Sequence, residues 1–221
     1  MTGWAEFIAA FITFFLSHSI PVRPTVKARL KTRLGAAGFG VGYSLLSIAV
    51  LAWLIVAANR APFVPLWDWA PWQNHVTLLL MTLAVLIAAL AVGRPNPLSF
   101  GGAQNDQFDP ANPGIIGWMR HPLLVALMLW ALSHILPNGN LAHVILFGVF
   151  AGFAALGMRI IDRRKQRLLG HQVWAQLATP NRQAQPSRAG MSRVAVGLLI
   201  YLGLIVLHGP VIGVSPLGVP L

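Results

Sequence analysis

Long apolar runs separated by short polar ones dominate the sequence. The first, Trp4 to Ile20, ends in the polar triplet Ser17-His18-Ser19 and then Pro21. Next comes PVRPTVKARLKTRLG, where Val22, Val26, Leu30 and Leu34 recur every four residues between Arg23, Lys27, Arg29, Lys31 and Arg33. That spacing predicts a short helix lying on the membrane surface. A second run covers about Ala36 to Ala58, and its glycine-rich start (Gly35, Gly38, Gly40, Gly42) favours close helix approach. The connection from Asn59 to Gln73 holds Trp67, Trp69 and Trp72, an interfacial aromatic cluster. A third run spans about His75 to Val92, followed by RPNPLSFGGAQNDQFDPANPG, whose Gly, Pro, Asn and Asp predict irregular structure. The fourth run, Gly117 to Leu136, is long and apolar enough to cross a bilayer yet carries Arg120, His121 and His134. After a Pro137-Asn138-Gly139 turn, a fifth run covers about Ala142 to Ile161. The basic segment from Arg159 to Arg193 contains an amphipathic piece with Leu168, Leu169, Val173, Trp174 and Leu177. A last, short run covers about Val194 to Leu207.

The pattern predicts an all-α, polytopic membrane helix bundle of about six transmembrane helices plus short cytoplasmic amphipathic helices. One membrane domain covers 1–221, with a linker at 179–193 and the last span and tail at 194–221. Composition agrees. The chain is 56% hydrophobic and 10% charged, whereas a soluble domain carries roughly 25% charged residues. The net charge of +11 would suggest a nucleic-acid partner in a soluble protein. Here the Lys and Arg gather in the loops after runs one, three and five, with little beyond Arg60 on the other side. That bias predicts basic loops in the cytoplasm, both termini periplasmic, a lipid partner and no nucleic acid. MTGWAEF lacks the basic flank of a signal peptide, so the first run is expected to be retained. With no cysteine, disulfides, thiolate ligands and Cys nucleophiles are excluded.

Polar groups inside apolar runs are expensive and mark candidate sites. The expected topology sorts the histidines by depth. His18 closes span one and His121 sits about one turn into span four, both on the cytoplasmic side, so they are expected to face each other. Two such imidazoles suit axial ligation of a haem iron or another transition metal. A carboxylate-rich metal site is not expected, since the only acids are Glu6, Asp68, Asp106, Asp109 and Asp162. Arg120, Arg94 and Arg23 lie at the same boundary, placed to pair with haem propionates or another anion. His134 follows His121 by 13 residues, about 20 Å along a helix. That separation resembles the paired histidines of two-haem transmembrane cytochromes b. A second site would use His134 with His143 or His75, or with His208. The plainer alternative is that histidines at span ends bond headgroups, water or backbone, that Arg120 snorkels, and that Pro122 only fixes a helix start. Asn96 and Ser99 are expected to build a turn.

Three separated motifs, SHSIPVRP (17–24), GRPNPLSFGG (93–102) and RHPLLVALMLWALSHILPNG (120–139), together resemble the NnrU family of membrane proteins over roughly residues 4 to 178. That family takes its name from a gene needed in denitrifying bacteria for expression of nitrite and nitric oxide reductases. The plant and cyanobacterial 15-cis-zeta-carotene isomerases share this domain. They are haem b proteins with histidine ligands that isomerise a polyene in a redox-dependent way. By motif position the resemblance implies a haem b site at His18 and His121. The isomerases also use a cysteine ligand, which this chain lacks. A more distant similarity, carried by RHP and DRRKQRLLGHQVW (162–174), is to the isoprenylcysteine and phospholipid methyltransferases, which bind S-adenosylmethionine. Leu124 stands where those enzymes usually have tyrosine, and Asp162-Arg163 where they have paired glutamates.

The leading expectation is a haem b protein of the bacterial inner membrane that supports nitrite and nitric oxide reductase expression or function, with respiratory or denitrification membrane proteins as partners. The alternatives are a polyene cis–trans isomerase, an S-adenosylmethionine-dependent methyltransferase, and a non-catalytic scaffold.

Overall fold

A computed structural model describes residues 2–179 and 187–218. Among them the chain is helical, with no strand beyond an isolated bridge between Pro65 and Asn140. Its helices are α1 (Thr2–Ser19), α2 (Pro24–Arg60), α3 (Pro71–Ala91), α4 (Pro122–Ile135), α5 (Leu141–Leu169), α6 (His171–Ala178) and α7 (Arg188–Ile212). Contacts divide the chain into two compact units, residues 1–67 with 140–146, and residues 68–139 with 147–221.

In the first unit α1 packs on α2 through Phe7, Ala10 and Phe14, a helical spacing that buries one face. A side chain at Gly3 would collide with the Arg60 carbonyl, so the absence of one lets α1 approach the end of α2 closely. There Arg60 and the Trp53 indole both donate to Glu6 Oε1 at 3.3 Å. The start of α5 is tied in by Leu141 N–H to the Val64 carbonyl at 2.9 Å. The expected surface helix and second span form as one element interrupted at Gly35, whose φ of 74° and ψ of 169° are not helical. That backbone region belongs almost entirely to glycine.

In the second unit α3 packs against both α4 and α7. Thr77 Oγ1 donates to the Ser133 carbonyl at 2.9 Å, and Tyr201 Oη donates to the Leu78 carbonyl at 2.8 Å. Gly197 brings α7 so close to α3 that a Cβ there would lie 3.0 Å from Ala89 Cβ. Arg193 caps the C-terminus of α3, donating to the carbonyls of Ala89 at 3.0 Å and Val92 at 2.7 Å. A cation suits that end because the helix dipole and its unpaired carbonyls are negative.

Among the described residues, four helices are long and apolar enough to cross a membrane: α2, α3, α5 and α7. This falls below the expected six. The fourth run is not one helix of its own length. Gly114–Gly117 is a 3₁₀ turn, and α4 has 14 residues, about 21 Å, against a hydrocarbon core of about 30 Å. The break has a local cause. A residue before proline is pushed out of the α region, and His121, preceding Pro122, has φ −118° and ψ 59°. His121 is therefore the residue that caps α4, not one a turn inside it. The last span is longer than expected, since α7 runs for 25 residues and starts at Arg188, with Ser187 Oγ accepting from Gly190 N–H at 3.0 Å. Of the expected linker at 179–193, residues 180–186 lie outside those described, and 188–193 belong to α7.

Gly35→Ala is expected to destabilise the purified protein by about 1–3 kcal/mol, because alanine must adopt a glycine-only conformation. Gly40→Ala, where an added Cβ meets open space, is the control. Thermal unfolding of both variants in one detergent checks this, and equal melting temperatures would refute it.

Candidate functional site

The loop between α3 and α4 is built around Asn96. Its Oδ1 accepts from the Leu98 and Ser99 amides, each at 3.1 Å, which makes the expected turn. Its Nδ2 donates to the Arg120 carbonyl at 3.1 Å, and its own amide donates to Asn105 Oδ1 at 2.7 Å. Gly102 must lack a side chain, since a Cβ there would stand 2.6 Å from Asn105 Oδ1 and 2.8 Å from the Asn96 amide. Farther along, Asp109 turns the loop by accepting from the Ala111 amide at 2.9 Å and Asn112 Nδ2 at 2.8 Å. These bonds, that from the Asn112 side chain first, hold its carboxyl below the ordinary carboxylate range.

That loop presents Ser99 to His121. The imidazole is 4% exposed. Its Nδ1 lies 3.0 Å from Ser99 Oγ, and its Nε2 lies 2.9 Å from Asp162 Oδ1 on α5. A carboxylate only accepts, so Nε2 carries the proton and donates, and in the neutral ring Nδ1 accepts from the serine hydroxyl. Asp162 Oδ2 accepts from Arg120 Nη2 at 3.0 Å. The Arg120 guanidinium also lies over the Trp174 ring of α6, Cζ 5.4 Å from the centroid. One carboxylate thus joins two consecutive basic residues, and a polar loop closes the set.

Serine, histidine and aspartate in hydrogen-bonded sequence invite comparison with a hydrolytic triad. Here the serine is 6% exposed, and Arg120 shares the carboxylate. With the hydroxyl buried and the carboxylate shared, these bonds orient and lock the His121 ring.

Most of the other expected site residues have partners of their own. Arg94 rests against Gly114, where a Cβ would lie 3.0 Å from its Nη1. Arg23 caps α2 in the first unit and is exposed. His75 is exposed on α3. His143 has both nitrogens engaged, Nδ1 2.7 Å from Asn140 Nδ2 and Nε2 donating to Asn59 Oδ1 at 2.9 Å, so it ties the start of α5 to the end of α2. His18 is different. Its Nδ1 donates to the Phe14 carbonyl at 2.8 Å, and its ring stacks on Phe14 with centroids 4.1 Å apart. His134 repeats that local solution, with Nδ1 donating to the Trp130 carbonyl at 2.7 Å. Its ring lies 5.1 Å from that of Phe147 and 6.5 Å from that of His208, which donates Nδ1 to the Val214 carbonyl at 2.6 Å. No group of three or more His, Cys, Asp or Glu placed to hold a metal ion occurs among the described residues.

Asp162 and Ser99 are the partners that the motifs did not pair with His121. The available signal was that Asp162 is the single acid in a stretch holding Arg159, Arg163, Arg164, Lys165 and Arg167.

Asp162→Ala is expected to lower stability by about 2 kcal/mol, since it strips a charge-assisted partner from both Arg120 and His121. Asn96→Ala, which orphans two buried amides and the Arg120 carbonyl, is expected to cost at least as much. Chemical or thermal unfolding reads both, and stabilities within 0.5 kcal/mol of the parent, about the scatter of neutral surface changes, would contradict this account.

No curated protein and no solved structure matches this chain. The family model described as NnrU protein matches residues 6–216, nearly the whole length, and the chain belongs to that family.

Proposed function

We propose that this NnrU-family membrane protein binds haem b and supports nitrite and nitric oxide reductase expression or function in denitrification. The observation that carries the reading is the state of two imidazoles. His18 and His134 each give Nδ1–H to the carbonyl four residues earlier, at 2.8 and 2.7 Å, which leaves Nε2 with its lone pair free. An imidazole oriented through one nitrogen and open at the other is the form that binds a metal. Aromatic neighbours, Phe14 for one and Trp130 and Phe147 for the other, suit an apolar macrocycle.

The fit is not uniform across the expected ligands. His121 and His143 have both nitrogens engaged and offer no lone pair to iron in this arrangement. His18 in the first unit and His134 in the second each offer one nitrogen to such a group, and His121 is a positioning residue beside Arg120. A bound haem would supply a one-electron redox centre. The basic loops would face the cytoplasm of a bacterial inner membrane, with respiratory membrane proteins as partners. The methyltransferase reading is the weaker one, because Leu124 stands where those enzymes usually have tyrosine and Asp162-Arg163 where they have paired glutamates.

Purified protein, oxidised and reduced, is expected to show a Soret band and stoichiometric iron. His18→Ala and His134→Ala are each expected to cut haem retention by roughly tenfold or more, the scale on which even outer partners of a metal act. His121→Ala is expected to keep the Soret band. A wild-type preparation with neither Soret absorbance nor iron would overturn the reading. In a denitrifying strain lacking the gene, the parent chain is expected to restore nitrite reduction and the His18→Ala chain to fail.

A further inference from the structure

Beside the Arg120–Asp162 pair the second unit holds a partly open cavity of about 180 Å³, lined by residues 116–121, Val125, Met158 and Ala178. Among the described residues, two buried side-chain polar atoms have no hydrogen-bond partner, Arg120 Nε and Trp174 Nε1. Both are N–H donors, and they belong to one assembly, because the Arg120 guanidinium sits over the Trp174 ring. A buried donor left without an acceptor is costly, and more so when it is charged. Arg120 lines the cavity and Trp174, just outside that lining, packs under its guanidinium, so the two donors describe a site that lacks its acceptor.

The chemistry of the acceptor follows from its surroundings. Arg120 cannot lose its charge, and indole offers only a donor. Asp162 is the one acid of the C-terminal part of α5, against Arg159, Arg163, Arg164, Lys165 and Arg167. An oxyanion is therefore favoured over a neutral carbonyl. The cavity suits a headgroup-sized object, and Ile116, Val125 and Met158 give it an apolar wall. Trp118, also on the lining, is 55% exposed, and tryptophans concentrate where a membrane meets water.

We propose that this cavity binds a phosphate-type oxyanion, whose oxygens accept from Arg120 Nε–H and Trp174 Nε1–H. The apolar wall favours the phosphodiester of a lipid over free phosphate.

The test uses the full chain in a neutral detergent, titrated with inorganic phosphate and, separately, with dihexanoyl phosphatidylglycerol below micelle formation. Thermal shift and tryptophan fluorescence give the readout. Wild type is expected to respond saturably. Trp174→Phe keeps a ring under Arg120 and deletes only the N–H. It is expected to leave the ligand-free melting temperature unchanged or higher, because an orphan donor has gone, and to weaken binding about tenfold. Arg120→Lys keeps the charge toward Asp162 without Nε–H and provides a second variant if the first fails to fold. Trp72→Phe, far from any cavity-lining residue in sequence, is the control. Saturable competition between the two probes supports the site with free oxyanion as a ligand, whereas saturation by the lipid alone supports it with a bilayer headgroup as the ligand. No saturable response to either probe, or equal affinity in wild type and Trp174→Phe, overturns the proposal.

Discussion

The second unit depends on one carboxylate. In a chain with five acids and sixteen Lys and Arg, Asp162 is the acid that a long apolar helix carries into contact with Arg120 and His121. Removing charge from water is expensive, and that expense is offset only when each oxygen is taken up by a good donor. Both oxygens are, at 3.0 and 2.9 Å. The remaining geometry follows. Pro122 keeps His121 off the helical path, Asn96 holds the Arg120 carbonyl, and the Asn96 turn leaves the Ser99 hydroxyl at the other face of the ring. A loop rich in Gly, Pro, Asn and Asp is therefore given a defined path by a few bonds, not by apolar packing.

Four of the seven histidines fall into two chemical kinds. Those with both nitrogens engaged, His121 and His143, connect segments distant in sequence and behave as cross-braces. Those that bond the carbonyl four residues back, His18 and His134, are fixed by their own helix and keep one nitrogen available. The second kind has a sequence correlate, since each follows a serine whose hydroxyl lies 3.2 Å from the same Nδ1. The count of histidines at span ends says nothing of this. The identity of the residue before each one says a little.

Much of the fold was legible because it rests on local rules. The four-residue apolar period after Pro21 marked a short helix ahead of the second span, and the structure separates the two at Gly35, a glycine read from the sequence only as favouring close helix approach. The composition of the third loop announced its irregularity. What escaped is instructive in each case. The fourth run looked like one transmembrane helix because hydropathy counts side chains and ignores φ, although the proline after His121 is enough to break it. The start of α7 was missed because its first turns carry Arg188 and Arg193, yet Arg193 is used as a cap for another helix. The bond from His121 to Asp162 joins residues far apart in sequence, and no spacing rule reaches that far. The free nitrogens of His18 and His134 depend on rotamers, which the sequence does not display.

The interruption at Gly35 also works as a depth gauge. A helix that stops and restarts leaves carbonyls and amides without intrahelical partners, and hydrocarbon has nothing to offer them. The break must therefore lie where water or headgroups reach, which pins one end of the following rod to the waterline. From Ala36 to Arg60 that rod is about 37 Å long, more than the roughly 30 Å of a bilayer's oily interior. It must lean, or stand proud of the far surface where Arg60 meets Glu6, and a thinner membrane would make it lean further.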